Sequence, residues 1–490
     1  MTKNFKDNKN YLVAVIIFIA AIIKIYFFNL VKNQAHWWDS LAYGSLAKNL
    51  VYHRWEDVPF LVHESIIRPP LFPLLWSWLI RIGSSDYTVI FITNIIPSII
   101  SVFLIYLIAK EMYSYKIGII SAILASVSWI HIFYASRALT DIPSMCLALT
   151  SIYFFVKSYD SLNPKFWCLS VFFLSFAVLF RYSYGLIALI YITFLIFTHK
   201  TKLVKKKSFW LGGIVGAIPL IIFVMFNLLS SGSIFPAATN YVSSAEEKTA
   251  FAWYTLSFVN SILLTPILIL FYMGLILIVV KTLMSYGFIS KTKETRMNLF
   301  NILLLLITLS FYIFFLKASE DRYLMSLSSV FFIFSAIGLR FLYRLVSPYN
   351  KNIALSLCIL IIVWSAYSQI SFAKSIMIDK KESFKQMKEA FEWIHENTPE
   401  NVLVTGDWAE PYTIYYANRN IEVLPQDLDF SKFTLTADYV VLTAVHQPNE
   451  KVGTYVNSLV EKGILSPIKV FYFDESQKNV AVIIYKKVRV

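Results

Sequence analysis

Apolar runs long enough to cross a bilayer recur along most of the chain. They lie near 11–31, 88–109, 117–135, 142–158, 165–181, 183–198, 209–230, 257–280, 298–316, 323–343 and 352–372. A hydrocarbon core about 30 Å thick needs roughly 20 apolar residues per helix. Inside it each backbone N–H and C=O must find its partner within the segment, so a run of this kind folds as a helix. The sequence predicts an α-helical polytopic membrane protein with about eleven transmembrane helices. Composition agrees: the chain is 57% hydrophobic and 15% charged, and its mean hydropathy is +0.61. A soluble domain is nearer a quarter charged. The pair of runs at 165–198 is interrupted only by Arg181-Tyr182-Ser183.

The net charge of +14 does not indicate nucleic acid, because the lysines crowd a few short loops. Those loops are the N-terminal stretch with Lys3, Lys6 and Lys9, the run at 199–207, the loop at 281–296 and the stretch from Arg340 to Lys351. With eleven spans all four fall on one side, which the positive-inside rule makes cytoplasmic. The N-terminus is then inside and the C-terminus outside, in a cell membrane. The first apolar run is too long for a cleaved leader and lacks a small-residue cleavage site, so it is expected to stay as an anchor. Cys146, Cys168 and Cys358 sit in apolar runs and have no metal-site or disulfide spacing.

Two regions stand apart from the spans. Residues 32–87 form a long first outer loop within a transmembrane domain read as 1–380. Residues 381–490 read as a soluble α/β domain outside the cell. There Phe384, Met387, Ala390, Phe391 and Ile394 mark one face of a helix, and strand-like runs occur at 402–405, 439–442, 470–473 and 480–485. A second helix is expected at 452–463. A further outer loop near 231–256, with Tyr241, Glu246 and Glu247, has the composition of a segment that orders over a substrate.

The first outer loop carries most of the candidate chemistry. Asp39 precedes a run in which Leu41, Tyr43, Leu46, Ala47 and Leu50 recur at helical spacing, so a helix lying on the bilayer surface is expected. An Asp there suits an N-cap and equally a general base that deprotonates a hydroxyl. Arg68 precedes Pro69-Pro70, which end one element and start another. Its guanidinium is either an interfacial snorkel or a fork on a phosphate. Asp141 lies on the same expected outer side, with Arg137 four residues earlier, and buried charges of this kind need partners. Asp39 and Asp141 could hold a metal or share base and orienting roles. Arg322-Tyr323 opens a late span as a membrane-interface pair or a headgroup contact, and Lys317 could assist. Arg181 is read as a helix-end charge. His53, Glu56, His63 and Glu64 match no compact ligand spacing. No Walker loop, dinucleotide glycine pattern or nucleophile elbow is present.

The order of these features resembles the GT-C superfamily of membrane glycosyltransferases, near the dolichyl-phosphate-mannose protein mannosyltransferase and aminoarabinose transferase branch. The resemblance rests on Asp39-Ser40-Leu41-Ala42-Tyr43, Arg68-Pro69-Pro70-Leu71, Ser136-Arg137 to Asp141, and Arg322-Tyr323, over roughly residues 11–345. It implies a GT-C-like fold and a sugar donor on a polyprenyl phosphate that arrives from the lipid. It also implies an acceptor hydroxyl on a protein, glycan or lipid, and transfer with inversion. Asp39 would be the catalytic base and Asp141 the second acid. Arg68, Arg137, Arg322 and Tyr323 would meet the donor phosphate, with Tyr43 and Glu64 at the acceptor or in support. A divalent metal is left open, with Asp39, Asp141 and His63 as its candidate ligands. Many members carry Asp-Glu at the first motif, whereas Ser40 follows Asp39 here, so Glu56 or Glu64 would have to substitute. A transporter or flippase of lipid-linked glycan is the competing class; it predicts ionisable residues at span midpoints and repeat symmetry.

Overall fold

The computed structural model describes residues 2–234, 251–285, 292–316, 320–425, 429–430, 433–447, 449–474 and 476–488. Tyr241, Glu246, Glu247 and Lys317 lie outside the described residues. The chain divides into two compact units, Met1–Lys32 with Asp86–Met377, and Asn33–Ser85 with Ile378–Val490. One break falls between Met377 and Ile378, and residues 33–85 group with residues 378–490.

The first unit is helical. Among the described residues seven helices are long and apolar enough to cross a membrane, and two bent pairs raise the number to nine. The pairs are Tyr115–Ser126 with Trp129–Ala135, bent by 53°, and Lys207–Gly216 with Ile218–Ser230, bent by 57°. The two remaining expected spans are helices as well. Pro164–Phe180 is a shorter apolar helix. Asp141–Ser158 opens on a carboxylate and buries Ser144, Ser151 and Ser158, so it is lined for protein contact more than for lipid.

The breaks in the bundle are closed by polar side chains. Gln369 is buried, accepts from the Trp129 N–H at 2.8 Å and donates to the carbonyls of Ile262 (3.2 Å) and Leu263 (2.7 Å). One amide thus satisfies an orphan N–H at one helix start and two orphan carbonyls at another helix end. Ionisable residues are not confined to span ends. Lys24 is fully buried in Asn10–Val31, and His131 is fully buried and bonds Ser328 Oγ at 2.9 Å.

The helices Ile267–Met284 and Ser328–Val346 cross backbone to backbone. A Cβ on Gly274 would lie 1.9 Å from the carbonyl oxygen of Phe334, and one on Gly338 would lie 2.1 Å from that of Leu270. Small residues permit such close approach where apolar burial supplies little drive between helices. Gly338→Ala is expected to force the pair apart and lower stability by about 1–3 kcal/mol. Thermal unfolding in detergent measures this, and an unchanged midpoint would show that the crossing is loose.

The second unit is built on a mixed five-stranded sheet. Its strands are β1 (Leu403–Gly406), β2 (Asn420–Ile421), β3 (Tyr439–Thr443), β4 (Leu465–Tyr472) and β5 (Val480–Lys487), in the order β2-β1-β3-β5-β4. β1 pairs parallel with β2 and β3, and β5 pairs antiparallel with β3 and β4. The helix Lys385–Asn397 buries Met387, Ala390, Phe391 and Ile394, four of the five residues expected on its apolar face. The helix Glu450–Glu461 is capped by Asn449, whose Oδ1 accepts from Lys451 N at 3.1 Å. Its Val452, Val456 and Leu459 share a core with Val440, Leu465 and Tyr485.

Residues 33–85 add three helices, Trp38–Tyr52, Pro59–Ile67 and Leu71–Arg81. The first is present as expected, but it does not lie on a surface. Every residue from Ser40 to Ala47 is buried, so these two turns leave no face for water or headgroups. A Cβ on Gly44 would lie 2.3 Å from the Tyr415 ring, and Ser45 Oγ donates to the Pro411 carbonyl at 3.3 Å. Trp55 Nε1 donates to the Arg419 carbonyl at 2.9 Å, and Leu46, Trp55, Leu61 and Ile414 close a small core.

Candidate active site

Charge gathers in two clusters, one in each unit. In the second unit the cluster is built on helix ends. Asp39 lies in the first turn of Trp38–Tyr52, one residue inside the helix. The cap position belongs to Trp37, and no side chain caps this end. Asp39 therefore is not the N-cap, although a carboxylate in a first turn still faces the positive end of the helix. Its Oδ1 is 3.0 Å from Arg68 Nη2.

Arg68 ends Pro59–Ile67 in an extended conformation (φ −95°, ψ 142°), as the following prolines require. Its Nε binds Glu64, one turn back, and its guanidinium lies 4.8 Å from the centroid of Tyr43. Burial works against the Arg68 charge, but Asp39, Tyr43 and Glu64 outweigh it and hold its pKa above the ordinary arginine value. The arginine is thus permanently charged and shared between two carboxylates.

The cluster separates its members by exposure. The Asp39 side chain keeps 28% of its surface accessible, against 12% for Arg68 and 7% for Glu64. Asp39 is the most accessible member, and Glu64, the least exposed, binds the arginine from one turn back. Tyr43 is buried, its ring edge-on to Phe72 at 5.3 Å, and it supports Arg68 from below. His63 is exposed on the helix Pro59–Ile67, and Glu56 is paired with His53 at 2.9 Å. Among the described residues no three His, Cys, Asp or Glu side chains gather as metal ligands.

In the first unit the centre is Asp141, at the start of Asp141–Ser158 and 1% exposed. Its Oδ1 is 2.7 Å from Arg181 Nη1, and its Oδ2 is 3.9 Å from Arg322 Nη1. Arg181 and Arg322 both lie over the Tyr323 ring, at 5.0 and 5.7 Å. Tyr323 stacks on Tyr312 at 5.4 Å. Arg322 Nε also binds Glu320, and Tyr134 Oη donates to Asp321 at 2.6 Å. Arg137 is almost fully buried, 3.6 Å from the Phe133 centroid, and donates to the Phe133 carbonyl at 2.9 Å.

Arg181 is the residue that sequence reasoning set aside. The signal was present, since Arg181-Tyr182-Ser183 is all that breaks the apolar stretch 165–198. A charge kept at such a place needs a partner, and here the partner is Asp141. Two guanidinium groups over one tyrosine, neutralised in part by a buried acid, make a site suited to a phosphate or another oxyanion.

The family model described as dolichyl-phosphate-mannose-protein mannosyltransferase matches residues 67–226, a span that holds Arg68, Arg137, Asp141 and Arg181. No curated protein matches the chain by sequence. Among solved structures, ArnT from Cupriavidus metallidurans in the apo state is similar with a TM-score of 0.66 and 10% identity, covering 97% of this chain and 98% of that one. The same protein bound to undecaprenyl phosphate gives 0.64 at 9% identity, over 97% and 98% of the two chains. The archaeal oligosaccharyltransferase AglB from Archaeoglobus fulgidus, in complex with an inhibitory peptide and a dolichol-phosphate, gives 0.63 at 13% identity, over 98% and 74%.

Proposed function

We propose that this chain, a multi-pass membrane protein with the GT-C fold, is a membrane glycosyltransferase. It moves a sugar from a polyprenyl-phosphate donor to an acceptor hydroxyl on a protein, glycan or lipid. The observation that carries the reading is Asp39, a carboxylate left accessible in a helix's first turn while Arg68, Tyr43 and Glu64 fix it from behind. Such a group is poised to take a proton from a hydroxyl. The matched mannosyltransferase span and the likeness to ArnT and AglB support the donor class.

The acceptor oxygen attacks the anomeric carbon and its proton passes to Asp39. The bond from that carbon to the phosphate oxygen breaks, and the lipid phosphate leaves with the electron pair. Attack opposite the leaving group inverts the anomeric centre. The growing phosphate charge needs preorganised cations, a role suited to Arg322 and Arg181, which both lie over the Tyr323 ring. Arg68 is engaged by two carboxylates, so its first role is to position Asp39; a phosphate contact would need it to exchange one of them.

Orientation in a cell membrane, with the N-terminus cytoplasmic and the C-terminal domain outside, rests on the lysine-rich loops. A flippase is not favoured, because the densest clusters of charge sit at helix ends and Lys24 and His131 alone make no path. The test is transfer by the purified protein from radiolabelled polyprenyl-phosphate hexoses and pentoses to a membrane extract. Label in an acceptor fraction is expected. Label that only crosses a reconstituted bilayer, with none transferred, would overturn the reading in favour of a flippase.

A further inference from the structure

The second unit contains an aromatic column that the reaction does not use. His446 stacks on Trp408 at 5.0 Å (24° between planes) and on Phe384 at 5.1 Å (20°). Its Nε2 bonds Tyr412 Oη at 3.0 Å. Trp38 meets Trp408 edge-on at 5.0 Å. Two of these residues are held in backbone conformations that side chains rarely adopt, Trp408 at φ 58° and Phe384 at φ 62°. Gly406, two residues before Trp408, has φ 150°, and a Cβ there would lie 2.0 Å from the Val441 carbonyl oxygen. Within the turn Trp408 is the side-chain-bearing residue held in the left-handed region, a conformation kept only where surrounding packing fixes it.

The column ends at solvent. Trp408 is 41% exposed, while its Nε1 is already spent on the Gln447 carbonyl at 3.3 Å. What it offers is ring surface. Two residues on, Glu410 is half-buried, and its carboxylate has no hydrogen-bond or ion-pair partner among the described residues. Burial alone raises the pKa of its carboxyl. A half-buried polar group without a partner costs free energy that a bound ligand recovers.

We infer that the Trp408–Glu410 turn is a carbohydrate subsite, where the C–H face of a neutral acceptor saccharide lies on Trp408 and one of its hydroxyls bonds Glu410. The inference rests on the glycosyltransferase reading and narrows its acceptor to a glycan. Position supports it. Trp408 touches Trp38, the residue before Asp39, so the turn adjoins the proposed base within one compact unit. Chemistry supports a saccharide: the exposed ring of Trp408 offers an apolar face to sugar C–H groups, and a sugar hydroxyl can bond the Glu410 carboxyl in either protonation state.

The experiment is saturation-transfer NMR on the full-length protein in detergent, with maltotriose, mannotriose and chitotriose as probes. At least one is expected to receive saturation on its ring C–H protons. Trp408→Ala should abolish that signal, Glu410→Gln should weaken it, and Trp408→Phe, which keeps a ring, should retain it. In the transfer assay Trp408→Ala should raise the acceptor KM about tenfold with kcat and donor KM unchanged. Absence of saturation in the wild type overturns the subsite, as does equal binding by the Trp408→Ala variant. So does a signal found only with an oligolysine peptide, or a Trp408 dependence seen only in binding to lipid vesicles. The NMR needs no turnover. A Trp408-dependent saccharide signal in a protein that transfers from no donor would therefore keep the subsite and sink the glycosyltransferase reading.

Discussion

Asp39→Asn is expected to lower the transfer rate by about a hundredfold or more, the usual size of a lost general base. The amide keeps the shape of the carboxylate and still accepts from Arg68 Nη2, now 3.0 Å from Oδ1. It cannot take a proton from the acceptor. Arg68 keeps Glu64 as its counter-charge, so the variant should not leave a buried cation unpaired. Stability should therefore change little, and donor KM should hold. Initial rates with a labelled donor, read beside thermal unfolding, separate the two effects. Equal rates in wild type and variant would leave Asp39 a purely structural carboxylate on a helix's first turn, and the base would have to be sought elsewhere.

The parts of this site that were legible in the sequence are those marked by punctuation. Pro69-Pro70 fixed the place of Arg68 at a helix end, and Asp39 stood where an apolar pattern began. What was not legible was how the first outer helix is used. Its small residues Ser40, Gly44 and Ser45 lie between the apolar positions that predict a surface helix. They are small because the C-terminal module comes against them, with Tyr415 over Gly44 and Pro411 over Ser45. A periodic pattern states which residues are apolar, but it does not state what lies opposite the others. The same limit explains the count of spans. Serines in Asp141–Ser158 lower its hydropathy for a helix buried by its neighbours, so its length in sequence says little about its exposure to lipid. Pairing at long range was the hardest part, since the 39 residues between Asp141 and Arg181 carry no signal that joins them.

That pair sets the other large expectation. Arg181→Met removes the near partner of Asp141, which is 1% exposed, and leaves Arg322 Nη1 at 3.9 Å as the other cation on its carboxylate among the described residues. Breaking a buried pair on one side costs about 3–5 kcal/mol, because the remaining charge stays desolvated. Asp141→Asn should cost a similar amount by stranding Arg181. The double variant removes both charges together, so its loss should be clearly smaller than the sum of the two single losses. Unfolding midpoints in detergent give this coupling directly, and simple additivity would mean that the pair is solvated and weak. Transfer activity then divides the roles of Asp141. If the acid serves only to hold Arg181 and the phosphate contacts around Tyr323, a double variant of restored stability still lacks one guanidinium and should show a raised donor KM with kcat largely kept. If Asp141 acts on the reacting groups, kcat stays low however well the double variant folds.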